Sequence, residues 1–156
     1  MAERLEWVLL AYRLPREPSG PRVTVWRKLR RLGVAQVLDG LVALPADART
    51  GEQLEWLADE VMEAGGEAWV WLGRLASARQ ERALATRMAD AVAADYEAVV
   101  ADADASASES DVVRKRVVAR LRRELQRIGR RDFFPPPQRD VARAAVDRLA
   151  ESVVAG

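Results

Sequence analysis

Residues 35–44, Ala35-Gln-Val-Leu-Asp-Gly-Leu-Val-Ala-Leu44, set two short β-prone runs around Asp39-Gly40. That pair suits the positive φ angles of a type I′ turn, so the stretch predicts a hairpin, ended by Pro45. On its amino-terminal side, Val25, Trp26, Leu29 and Leu32 recur at helical spacing. This helix is entered through Pro18-Ser-Gly-Pro21, with Ser19 as its cap and Gly33 as its stop. Before it, the continuous apolar run Trp7-Val-Leu-Leu-Ala-Tyr-Arg-Leu14 reads as a buried strand. On the carboxyl side, Leu54, Leu57, Val61 and Met62 form the stripe of a second helix, capped by Thr50 in a capping box with Gln53 and stopped at Gly65-Gly66. Ala68-Trp-Val-Trp-Leu72 then carries the aromatic and β-branched residues of a strand.

The order βαββαβ over residues 5–75 predicts an α+β, ferredoxin-like fold: a four-stranded antiparallel sheet with two helices on one face. Beyond it, Leu84, Met88, Val92, Tyr96 and Val99 in 79–103, and Val113, Val117, Leu121, Leu125 and Ile128 in 112–129, mark two long helices. The small, acidic stretch 102–110 between them predicts a mobile tip on an antiparallel helical hairpin. Asp132-Phe-Phe-Pro-Pro-Pro137 breaks the second helix. A last helix near 138–154 uses Val141, Ala145, Leu149 and Val153. The expected organisation is a sheet domain, 1–76, with the hairpin and final helix, 77–156, packed on it as one structural unit.

A chain of 156 residues, 49% of them hydrophobic, can bury a sizeable core without a metal or disulfide staple. It contains no Cys and no His, which excludes thiol nucleophiles, histidine bases, zinc fingers and disulfide frameworks. The carboxylates fall at solvent-facing helical positions, and Tyr12-Arg13 stands where a nuclease of this fold would carry a metal-binding acid at the end of its first strand. The expectation is therefore a non-enzyme with no catalytic residue, metal site or cofactor. No apolar stretch approaches the roughly 18 residues of a membrane span, and no signal-peptide core opens the chain, so a cytoplasmic protein is expected.

Net charge is only +1, but its distribution is uneven. Arg22, Arg27, Lys28, Arg30 and Arg31 crowd residues 22–31 without an acid, and residues 114–131 hold nine bases against Glu124. Residues 90–111 carry seven acids and no base. On the 112–130 helix Arg116, Arg120, Arg123, Arg127 and Arg130 lie on one face. With the tip centred at 106–107, Arg116 should lie near Glu97, Arg120 near Asp95 and Arg123 near Asp90, neutralising the upper hairpin. Arg127 would then meet the level of Arg87, and Arg130 and Arg131 that of Arg82, leaving free positive charge at the hairpin base. The candidate DNA contacts are Arg27, Lys28 and Arg31 on the first helix and Arg127, Arg130 and Arg131 at that base. Ser19 and Arg22, at a helix start, are the candidate anion-binding residues. Most of the five tryptophans should be core, although aromatics on a sheet can also stack bases.

Several stretches together resemble the amino-terminal domain of the chromate-resistance regulator ChrB: WVLLAYRLP at 7–15, Val25-Trp-Arg-Lys-Leu29, the Asp39-Gly40 hairpin, GGEAWVW at 65–71 and Arg131-Asp-Phe-Phe-Pro135. A weaker likeness of 22–45 to the sheet domain of the PaaX repressor family points to the same ferredoxin-like core. The ChrB resemblance implies transcriptional control of chromate efflux, with chromate as inducing anion. The expectation is a DNA-binding regulator acting as a homodimer through an exposed sheet face or edge. Two alternatives stand beside it: a module that grips a separate chromate-resistance protein, and a sensor of chromate or sulfate.

Overall fold

The structure, a computed structural model, describes residues 4–154. Strands β1 (Trp7–Arg13), β2 (Ala35–Leu38), β3 (Leu41–Pro45) and β4 (Glu67–Gly73) form a sheet in the order β2-β3-β1-β4, with every neighbouring pair antiparallel. Helix α1 (Gly20–Leu32) connects β1 to β2, and α2 (Ala48–Glu63) connects β3 to β4. Three further helices follow: α3 (Ala78–Ala105), α4 (Asp111–Arg130) and α5 (Gln138–Val154). The chain divides into two compact units, Met1–Arg87 and Met88–Gly156. The extreme ends of these ranges, and of the expected domains, lie outside the described residues.

In the first unit, period-two alternation sorts the sheet residues. Val8 and Leu10 pair with Leu44 and Val42, and all four are buried. They share the core with Val25 and Leu29 of α1 and Leu54, Leu57 and Val61 of α2. Each such side chain contributes roughly 1.5–3 kcal/mol by leaving water. The alternate residues of β1 and β3 bury Trp7 and Ala43, beside Ala35 of β2. The first turns of α3 are tied to this unit, since Leu5 N donates to Glu81 and Arg87 Nη1 donates to the Gln36 carbonyl.

The second unit has its own core, in which Val92, Tyr96 and Val99 of α3 meet Val118, Leu121 and Ile128 of α4 and Ala142, Ala145, Val146 and Leu149 of α5. The α5 stripe runs through Ala142 and Val146, while Val141, expected inside, is 54% exposed. The tip is shorter than expected, because α3 continues to Ala105 and Ser110 caps α4 by accepting from Val113 N.

Local details correct several expectations. Asp47, rather than Thr50, caps α2: Asp47 Oδ1 accepts from Thr50 N at 2.8 Å, and Thr50 Oγ1 accepts from Asp47 N at 2.9 Å. The extended backbone of Asp47 after Pro45-Ala46 aims its carboxylate at the helix start, so the capping box falls one turn earlier. Ser19 stands at the N-cap of α1 but its hydroxyl caps nothing, because Pro21 in the first turn offers no N–H and the backbone of Ser19 is itself helical. The hairpin forms at Asp39-Gly40, but only Gly40 has positive φ (73°), so the turn is not type I′. A register irregularity between Gln36 and Leu38 accommodates the misfit. A Cβ on Gly40 would lie 2.6 Å from the Tyr12 carbonyl oxygen, an approach that glycine alone permits.

The tryptophans are the largest departure. Trp7 is buried, but the other four of the five, Trp26, Trp56, Trp69 and Trp71, are each at least half exposed. The sequence shows that Trp69 and Trp71 share one side of β4, not that this side is open.

Candidate functional site

Helix α1 forms because Val25 and Leu29 are buried one turn apart and Gly33, at φ 79°, terminates the last turn. That packing fixes which bases face solvent. Lys28 is held by Glu60 of α2, with Nζ 2.8 and 2.9 Å from its two oxygens. Arg30 stacks its guanidinium on Trp26, 4.9 Å from the ring centroid. Arg22, Arg27 and Arg31 make no hydrogen bond or ion pair among the described residues. The unbroken absence of acids from Pro18 to Leu38 leaves nothing in α1 to neutralise them.

Beside α1 lies an open cleft of about 1010 Å³. One wall is the end of β1, with Tyr12 and Arg13. The second is α1, contributing Ser19, Arg22, Trp26 and Arg27. The third is the β2–β3 hairpin, with Gln36, Asp39 and Gly40, and Tyr12 N donates 2.8 Å to the Gly40 carbonyl to lock this wall to β1. Three guanidiniums thus face one carboxylate, that of Asp39. Arg13 is already paired with Glu67 at 3.1 Å, which leaves Arg22 and Arg27 as the free cations. Burial, and then Asp39, push the Tyr12 phenol above its ordinary value of 10.0, against a smaller opposing effect of Arg22. At neutral pH Tyr12 therefore presents a protonated hydroxyl donor. The cleft can receive a tetrahedral anion or a phosphate group through guanidiniums and a phenol, with an indole alongside.

The hairpin base is less free than its sequence implied. Arg131 Nη2 reaches Asp95 at 2.9 Å, with only 20% of its side chain exposed. Arg127 pairs with Glu124 at 3.0 Å, one turn earlier on the same helix. That exposed pair is worth under about 1 kcal/mol and exchanges readily. Arg130 alone of this set has no partner among the described residues. The register also differs from the expected one, since Arg120 pairs with Asp102 and Arg131 lies opposite Asp95 rather than Arg82. The turn is centred nearer residue 108, and helical side chains lean toward their own N-terminus. Those of α4 therefore reach toward the tip and those of α3 away from it. The predicted DNA contacts are thus divided between the two units, with the larger unpaired set on α1. Tyr12, Arg13, Gln36 and Asp39 were not among the candidate binding residues read from the sequence, where Tyr12-Arg13 served only to argue against a nuclease and Asp39 only to mark a turn; the acid-free run around Trp26 was the available signal.

The family described as Protein ChrB, N-terminal, matches residues 22–155, from the first turn of α1 to the end of α5. The chain belongs to the ChrB amino-terminal family. The ChrB match takes in Arg22, Arg27 and Arg31, the hairpin and the Arg131-Asp-Phe-Phe-Pro135 turn. No curated protein matches the chain, and no solved structure matches it. Among the described residues, no helix is long and apolar enough to cross a membrane.

Proposed function

We propose that this protein is a DNA-binding transcriptional regulator of a chromate-resistance system, acting in the cytoplasm and touching the phosphate backbone through α1. The observation that carries the reading is the acid-free face on which Arg27 and Arg31, one turn apart, stand unpaired. Membership of the ChrB family supports the chromate-resistance role. The βαββαβ order and the strand order β2-β3-β1-β4 support reading the sheet unit as ferredoxin-like. The lack of His and Cys supports a role in binding rather than catalysis. In anisotropy titrations with duplex DNA, the double variant Arg27→Ala/Arg31→Ala should bind at least tenfold more weakly at low salt. Unchanged affinity overturns the proposal.

A second reading rests on the cleft. Ser19 and Arg22 line it together with Tyr12 and Arg27, and no acid occupies the first turn of α1. These groups suit a tetrahedral dianion such as chromate or sulfate, bound in place of DNA phosphate or as a signal that alters α1. At matched ionic strength, chromate or sulfate should raise the melting temperature of the wild type but not of Arg22→Ala. An equal rise in both counts against this site.

A further inference from the structure

The two edges of the sheet are built differently. Strand β2 has four residues and a register irregularity. Two of its carbonyls are taken by side chains, that of Gln36 by Arg87 and that of Leu38 by Gln36 Nε2. Such an edge resists further pairing. Strand β4, at the other edge, has seven residues, pairs only with β1, and runs in unbroken register from Glu67 to Gly73. It has no proline, lysine or bulge. Trp69 and Trp71, on one side of it, are 59% and 56% exposed, and Leu72 on the other is 65% exposed. A long, straight, apolar edge of this kind is a template for another strand.

We infer that this edge pairs with β4 of a second copy of the chain, antiparallel and centred on Val70, to make a continuous eight-stranded sheet. This goes beyond the DNA-binding reading and does not depend on it. A two-fold axis at Val70 lets the whole strand pair with itself and sets Trp69 of each copy directly across from Trp71 of the other. Charge favours this direction. Glu67 opens the strand and Arg74 follows its last residue, so antiparallel pairing puts an acid beside a base at both ends, whereas parallel pairing would gather like charges. Glu67 is already shared by Arg13 and Trp69 Nε1 on exposed surface, a weak arrangement that can admit another cation. The size is adequate. Two half-exposed indoles leave roughly 300 Å² open per copy, so the tryptophans alone supply about half of the ~1,200 Å² at which stable interfaces begin. Leu72 and the paired backbones supply more.

The chain has no cysteine, so single-cysteine variants report the seam without background. Light scattering of the full chain should give twice the monomer mass. The double variant Trp69→Lys/Trp71→Lys should halve it, and Trp56→Lys, which alters an equally exposed indole on α2, should leave it unchanged. Under mild oxidation Val70→Cys should form a covalent dimer. Glu67→Cys should not, although it is more exposed, because in this register position 67 lies across from 73. A monomeric wild type, a dimer that survives the double lysine variant, or faster cross-linking at 67 than at 70 overturns the inference. A monomer whose tryptophan fluorescence is quenched by a single-stranded oligonucleotide, and not in the double lysine variant, assigns this face to base stacking instead.

Discussion

Tyr96 Oη donates a 2.7 Å hydrogen bond to Asp132 Oδ2, fastening the middle of α3 to the turn that follows α4. The preceding residues repeat the clasp in reverse, since Arg131 donates to Asp95 at 2.9 Å. Two consecutive residues of α3 thus hold two consecutive residues of the Arg131-Asp-Phe-Phe-Pro135 turn, which gives this conspicuous motif a part in fastening the turn to the helix.

The clasp has a measurable stability. Tyr96 is buried and bonded to a carboxylate, so Tyr96→Phe leaves Asp132 without that donor and should cost about 1.5–3 kcal/mol. Urea denaturation measures it. A loss no larger than that of an ordinary surface substitution would mean that the hydroxyl is better satisfied in the unfolded chain.

Alkaline pH should weaken the same clasp. Burial, and then the bond and charge of Asp132, raise the Tyr96 phenol far above its ordinary value of 10.0. The folded state therefore holds this proton more tightly than the unfolded state, so the contribution is complete below pH 10 and is lost as pH climbs from there toward the folded value. Stability should fall with pH above 10.0, and the fall should be shallower in Tyr96→Phe. Because Tyr12 is raised as well and the chain has two tyrosines, native tyrosinate absorbance should appear only above the pH at which the denatured chain ionises. A native titration coinciding with the denatured one would contradict both environments.

Gly40 carries the hairpin wall of the cleft. A methyl group there meets the Tyr12 carbonyl oxygen at 2.6 Å and must also adopt φ 73°. Gly40→Ala should therefore destabilise the fold by more than about 1 kcal/mol. Gly20→Ala, with open space around it, should cost far less. Thermal melts of the two variants compare them directly, and equal melting temperatures would refute the close approach.

These contacts also mark how far the sequence could be read. Strands and helices were legible wherever burial followed a simple period, as in Val25 and Leu29 of α1 or in Met88, Val92, Tyr96 and Val99 of α3. Trp69 and Trp71 misled because alternation reveals which residues share a side, while exposure depends on what covers that side. The hairpin arginines misled for a different reason. Counting from a turn gives the level of each Cα, but a guanidinium reaches several ångströms along the axis, which brings Arg120 to Asp102 instead of Asp95. The acid-free run in α1 was legible; the cleft beside it was not, because Tyr12 and Asp39 meet only through the register of β1 with β3, and Trp26 joins them only through the placement of α1.

The central claim is that α1, more than the hairpin, meets the phosphates, and the salt dependence of duplex binding tests it most directly. Each lost phosphate contact should reduce the slope of log K against log salt by about 0.9. The slope should fall by roughly 1.8 in Arg27→Ala/Arg31→Ala and by no more than about half as much in Arg127→Ala/Arg130→Ala, where Glu124 already engages one guanidinium. The reverse order, or no change in either variant, would contradict the account.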